Sequence, residues 1–306
     1  MVVIITLNLF LKYILMKSNV QKAIEATYLS IFGNLILAVA KGITGVFGNS
    51  YALVADAIES LTDVFSSALV LFGIKYSTRP ADSNHPYGHG RAETLVTFLV
   101  VGFLLISATV IAYQSIVNIQ TPHEIPENYT LLVLAVIIII KESFYRIVSK
   151  KGEETNSSSL KADAWHHRSD AITSLMAFIG ISIAIYMGPG YETADDWAAL
   201  IASLFIVYNA YLIFRPALGE ILDEHVYDDL ILEIRNIADK VPGVEGTEKC
   251  LVRKTGMTYL VDLHLLVNGN LSVTEGHAIS HAAKDTLMLK LPELSNVLIH
   301  IEPSMG

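Results

Sequence analysis

Leu160-Lys161-Ala162-Asp163-Ala164-Trp165-His166-His167-Arg168-Ser169-Asp170 opens a helix that then runs apolar to Met187. His166 and Asp170 are four residues apart, so they stand one above the other on a single helical face. An imidazole and a carboxylate at membrane depth are costly and need a partner or a function. Glu59 and Asp63 repeat the spacing inside another apolar stretch. Two such pairs offer four oxygen or nitrogen donors, the number a tetrahedral divalent-metal site takes. The fold that makes sense of both pairs is a bundle of membrane-crossing helices with these four side chains turned inward.

Working outward, composition agrees. The 306 residues are 52% hydrophobic and only 17% charged, with a mean hydropathy of +0.48. Several stretches reach the roughly 20 apolar residues that span a bilayer. From Ala217 onward the texture changes, with 14 acidic against 7 basic residues, which holds most of the net charge of −9. This tail reads as a small soluble domain, and its acidity suits cations and excludes nucleic acid. The single cysteine, Cys250, rules out an internal disulfide and fits a reducing compartment.

Six spanning helices are expected, near Ile24–Phe47, Ala52–Tyr76, Ala92–Val117, Tyr129–Ile147, Leu160–Met187 and Asp196–Phe214. A tight Gly48-Asn49-Ser50 turn separates the first two. A polar linker, Ser149–Ser159, precedes the fifth, and Pro216 lies beyond the sixth. Val2–Met16 form an apolar run broken by Lys12, without the basic start or cleavage site of a signal peptide, and read as a peripheral or irregular leader. The expected domains are therefore a cytoplasmic leader, 1–22, a six-helix transmembrane domain, 23–216, and a cytoplasmic domain, 217–306.

Loop charges set the orientation. Lys12, Lys17 and Lys22 precede the first helix, Lys75, Arg79 and Arg91 lie between the second and third, and Arg146, Lys150, Lys151 and Lys161 between the fourth and fifth. The loops Gly48–Ser50, Asn118–Asn128 and Gly188–Asp195 have no Lys or Arg. By the positive-inside rule both termini are cytoplasmic. The tail reads helix (Tyr227–Lys240), strand (Lys249–Lys254), strand (Met257–Leu266), helix (Thr274–Leu289), strand (Val297–Ile301), an αββαβ α+β sandwich.

Glu59, Asp63, His166 and Asp170 are the main constellation. Such ligands bind metal only when deprotonated, so metal and protons compete for them, which is the physical basis of exchange. The alternative is a structural polar network, such as Asp63 accepting from His166. Asp56 and Asp163 each stand about two turns or one turn from these groups and suit a mouth or supporting role. Asp82, His85 and His89 form a second cluster in the loop after the second helix, either metal ligands or polar caps. His264, His277, His281, His300 and Glu302 gather metal-capable groups in the tail, with Cys250 beside Glu248 read as a lone buried thiol.

Three segments carry a family likeness: Ala55-Asp56-Ala57-Ile58-Glu59-Ser60-Leu61-Thr62-Asp63, Arg79 to Glu93 (through His85-Pro86-Tyr87-Gly88-His89-Gly90-Arg91), and Ala162 to Asp170. Together they resemble the cation diffusion facilitator family, in particular its bacterial YiiP- and FieF-like zinc and iron efflux members, over about Ala23 to Pro303. The resemblance implies a homodimer in a cell (inner) membrane, exporting divalent metal from the cytoplasm in exchange for protons by alternating access. By matching position it implies a transport site of Glu59, Asp63, His166 and Asp170 and a loop site of Asp82, His85 and His89. It further implies tail ligands His264, His277, His300 and Glu302, with Glu248 where a histidine is usual. Arg91 and Asp223 match a salt-bridge pair, and Trp165 matches an apolar gate.

Glu59 departs from the usual Asp or His. Its longer carboxylate relaxes a strict zinc preference toward Fe²⁺, Mn²⁺, Co²⁺ or Cd²⁺, while His166 still favours Zn²⁺. Zn²⁺ is then both cargo and a structural or regulatory ion of the tail. The competing reading is a non-transporting membrane scaffold or metal sensor acting through its dimeric tail. An intramembrane metallohydrolase lacks a general base beside an open coordination position.

Overall fold

The computed structural model describes residues 2–47, 51–120, 129–188, 190, 191 and 193–304; the side chains at 2–17, 44–47, 51–59, 130 and 195 lie outside that description. The expected Gly48-Asn49-Ser50 turn and residues 121–128 of the loop without Lys or Arg therefore lie outside the described residues. Six long helices come first: α1 (Val2–Phe47), α2 (Tyr51–Ser77), α3 (Arg91–Gln120), α4 (Tyr129–Glu154), α5 (Ser158–Met187) and α6 (Ala194–Ile221). Among the described residues, four segments are long and apolar enough to cross a membrane: Ser18–Ile43 of α1, α3, α5, and Asp196–Ile221 of α6. α2 and α4 are of comparable length, 27 and 26 residues, but are interrupted by Asp63 and Lys75, and by Lys141, Glu142 and Arg146. The chain is a multi-pass α-helical membrane protein with a C-terminal α/β domain.

Side-chain placement in the helical unit, Lys22–Ala217, inverts that of a soluble protein. Phe65, Phe72, Ile106, Ile139 and Leu204 face outward, while Ser60, Asp63, Ser66 and Ser67 of α2 and Asp163, His166 and His167 of α5 are buried. Hydrocarbon surroundings reward the first set and force the second to find partners inside. Close helix approach is visible at Gly33 of α1, where a Cβ would come within 2.1 Å of the Phe144 ring of α4.

Three boundaries differ from expectation. α4 continues through Ser149–Glu154, most of the expected polar linker, and stops only at Asn156, whose left-handed φ of 55° breaks the ladder. Ser157 then caps α5, its side chain accepting from Leu160 N at 3.2 Å, a role worth about 1 kcal/mol. The fully buried Glu93 carboxylate accepts from the Ser157 hydroxyl and from Ser159 Oγ at 3.2 Å, tying α3 to this start. Pro216 lies inside α6, which runs on to Ile221. Of the two readings of the leader, peripheral or irregular, the irregular one gives way: the leader is helical from Val2, continuous with α1, because nothing in 2–22 breaks the ladder.

The second compact unit comprises Leu218–Gly306 with Met1–Gln21. Its elements are α7 (Asp228–Ala238), β1 (Gly246–Thr255), β2 (Thr258–Asn268), α8 (Val273–Lys290) and β3 (Leu294–Ser304), the expected αββαβ order. The sheet order is β1-β2-β3, antiparallel between β1 and β2 and parallel between β2 and β3. A parallel pair needs a crossover, and α8 supplies it. Ile231, Ile234 and Ile237 of α7 and Leu287 of α8 pack with Val252, Val261, Leu263, Leu265 and Val297 in one core. Strand alternation turns His264, His300 and Glu302 to the other face of the sheet.

Candidate metal centre

Asp63 on α2 and His166 and Asp170 on α5 bring one donor atom each within 4.8 Å of one another. Asp63 and His166 are buried, at 4% and 5% exposure. His166 Nε2 lies 2.7 Å from Asp63 Oδ1, and His166 Nδ1 has no hydrogen-bond partner among the described residues. The i,i+4 spacing on α5 puts His166 and Asp170 on one face toward α2, as the sequence requires. Glu59 is one turn before Asp63 on α2, and its side chain, like that of Asp56, lies outside the described residues.

Sequence reasoning missed Lys141. Its ammonium donates to Asp63 Oδ2 and Asp170 Oδ2, both at 2.7 Å, and to Asn34 Oδ1 at 3.1 Å. Only 2% of Lys141 is exposed. One side chain of α4 thus joins α1, α2 and α5. Beside it is a cavity of about 190 Å³ in which Lys41, Ser60, Ser107, Thr173 and Ser174 share a mostly apolar lining with residues such as Leu104, Ile137 and Ile206.

His167 turns away from this centre, as its position about 100° round the helix predicts. Its Nε2 lies 3.0 Å from Ser30 Oγ, and Asp163 accepts from Ser67 Oγ at 2.8 Å. Trp165 packs against Tyr145, ring centroids 5.6 Å apart, and Arg168 lies over both rings while donating to the Tyr145 hydroxyl at 2.7 Å. Arg91 begins α3, and Asp223 follows α6 with a left-handed φ of 53°.

The loop brings Asp82, His85 and His89 together. Asp82 Oδ1 accepts from the backbone N–H groups of Asn84 (2.9 Å) and His85 (2.7 Å) and lies 3.1 Å from His85 Nδ1. His89 Nε2 is 3.4 Å from Asp82 Oδ2. The His85 backbone N–H, above all, holds the Asp82 carboxyl below its ordinary range, which keeps it an anion able to take a cation.

In the C-terminal domain, parallel register sets His264 beside His300, with ring centroids 4.9 Å apart. Glu302 Oε1 lies 2.5 Å from His264 Nδ1 and 3.8 Å from His300 Nε2. Glu248 sits at the β1 irregularity between Thr247 and Cys250 and shares a hydrogen bond with Glu302. His277 is not in this group. It lies on α8 beside His281, ring centroids 4.5 Å apart, and α8 packs on the Ile301 face of the sheet. Cys250 is buried in the core, its thiol pushed up to about 11 by desolvation.

Residues 27–222 match the cation efflux transmembrane domain, and residues 226–304 match the cytoplasmic domain of cation efflux proteins. The chain belongs to the cation efflux, or cation diffusion facilitator, family. It is 32% identical over 292 residues to metal tolerance protein C1 of Arabidopsis thaliana, covering 90% of this chain and 61% of that one. The manganese efflux system protein MneP of Bacillus subtilis is 30% identical over 91% of this chain and 95% of its own length. The cation-efflux pump FieF of Citrobacter koseri is 30% identical over 92% of each. Membership in this family makes the chain a transporter rather than an enzyme, with a role in metal transport.

Proposed function

We propose that this family member is a proton-coupled antiporter that exports divalent metal from the cytoplasm, with Zn²⁺ the favoured cargo and Fe²⁺ next. The observation that carries this reading is the convergence of Asp63, His166 and Asp170 donor atoms within 4.8 Å, Asp63 and His166 buried and Asp170 half-buried. One imidazole with carboxylates suits Zn²⁺ better than an all-oxygen set would. Glu59, one turn from Asp63, completes the set. Ion and protons compete for these groups, so loading on one side and protonation on the other drive exchange. The longer carboxylate of Glu59 keeps Mn²⁺, Co²⁺ and Cd²⁺ as candidate cargo, and the likeness to a manganese efflux protein supports including Mn²⁺.

In this reading all six long helices cross the inner membrane and both termini are cytoplasmic, as loop charge favours. The C-terminal domain holds two copies together, with metal at His264, His300 and Glu302, aided by Glu248 and, separately, by His277. Asp82, His85 and His89 hold a further ion at the loop. Trp165 closes the apolar side of the transport site, and Arg91 pairs with Asp223.

Reconstitution into liposomes that enclose a metal-sensitive dye and a pH dye tests this. Zn²⁺ flux with opposite proton flux is expected in the parent, and neither in Asp63→Ala or Asp170→Ala. Parent-rate zinc transport by either variant would show the assignment to be wrong. Parallel runs with Fe²⁺, Mn²⁺, Co²⁺ and Cd²⁺ rank the cargo.

A further inference from the structure

We infer that the Lys141 ammonium is a tethered cation which holds the place of the metal, so that loading proceeds by displacement of Lys141 from Asp63 and Asp170. The inference rests on reading those two aspartates as transport ligands. Lys141 Nζ is 2.7 Å from one oxygen of each. A zinc ion shared by the same carboxylates would sit about 2.0–2.2 Å from their oxygens. Two cations cannot occupy that space together, since their repulsion is poorly screened in a buried setting. Metal and ammonium are therefore alternatives.

Displacement also has a route. Lysine carries its charge on a flexible four-carbon stem. Lys141 borders the cavity of about 190 Å³, where Ser107, Thr173 and Ser174 offer hydroxyls, and Asn34 Oδ1, already 3.1 Å away, can keep hold of the ammonium. In either state the two carboxylates have a cation beside them. Without one, they would be a buried like-charge pair, which is strongly destabilising. The arrangement also sets a charge threshold. A monovalent ion gains no more from the carboxylates than the ammonium it must evict, whereas a divalent ion gains about twice as much. Lys141 is thus a specificity-determining residue that favours divalent over monovalent metal ions.

The test is equilibrium Zn²⁺ binding to the full chain in detergent, by competition with a chelating dye, in a His85→Ala, His89→Ala, His264→Ala, His300→Ala background that silences the loop and tail. Parent, Lys141→Met, Lys141→Gln, Lys141→Arg and Asp170→Asn are compared, each with thermal melting with and without Zn²⁺. Displacement predicts that the neutral variants bind Zn²⁺ tighter by about tenfold or more, that Zn²⁺ raises their melting temperature more than the parent's, and that Lys141→Arg does not gain affinity. A folded neutral variant with unchanged or weaker affinity overturns the inference. So does failure of both neutral variants to fold even when prepared with Zn²⁺, because Lys141 is then a structural tie. Parent binding that is absent, or untouched by Asp170→Asn, refutes the transport-site reading instead.

Discussion

His264 Nδ1 lies 2.5 Å from Glu302 Oε1, held there by the parallel register of β2 and β3, which sets His264 opposite His300 and Glu302 opposite Leu266. Glu302 also shares a hydrogen bond with Glu248. Chiefly through that bond, Glu302 is held below the ordinary glutamate range and Glu248 is pushed above it.

The signs fix a pH profile for this pair. Between Glu302's lowered value and about pH 4.3, the unfolded chain binds more protons, so stability rises with pH. Between there and Glu248's raised value the folded domain binds more, so stability falls. Glu248→Gln keeps a donor to Glu302 and removes the opposing charge. Its C-terminal domain, residues 217–306, is expected to melt higher than the parent domain at pH 7, with the advantage shrinking toward pH 4. Melting curves across that range decide the matter; equal or lower melting at pH 7 contradicts the pairing.

The loop separates charge from turn geometry. Asp82 Oδ1 accepts two backbone N–H bonds, and an asparagine carbonyl can accept the same two. Asp82→Asn is therefore expected to leave hydrogen exchange across residues 80–90 unchanged while removing metal from the loop, seen as one equivalent less Zn²⁺ bound. Retention of the full complement would show that Asp82 is a turn residue and no ligand.

Packing of α1 on α4 bears on the metal centre. Gly33 adjoins Asn34, and the Phe144 ring it touches is three residues from Lys141. Gly33→Ala must push the two helices apart or twist the ring, costing about 1–3 kcal/mol. Thermal melting should show the loss, and Phe144→Leu in the same chain should recover most of it. If Gly33→Ala melts like the parent, this contact does not limit the approach of α1 and α4.

Much of this was legible in the residues. Two i,i+4 pairs in apolar stretches announced that α2 and α5 face each other, and the alternation of β2 put His264 on one face and its core residues on the other. Lys141 escaped notice for a physical reason. A lysine five residues before Arg146, near the expected end of a helix, reads as one more basic residue reaching for the interface. α4 in fact runs on to Glu154, which leaves Lys141 mid-helix and buried. The extra length was hidden because Ser149, Gly152 and the charged residues around them are polar without being breakers. The stop came from Asn156, whose side chain tolerates a left-handed backbone where most do not. That α8 carries His277 away from the His264 group follows from the crossover, which spacing along the chain does not reveal.

Pro216 has a mechanical consequence. It has no N–H to give the Leu212 carbonyl, so the ladder of α6 lacks a rung one residue before Ala217, where the helical unit ends. A helix bends most easily where bending breaks no bond. α6 is thus a continuous helix with a built-in soft point at Pro216. If α6 kinks, it does so at this one residue, where a rung is already missing.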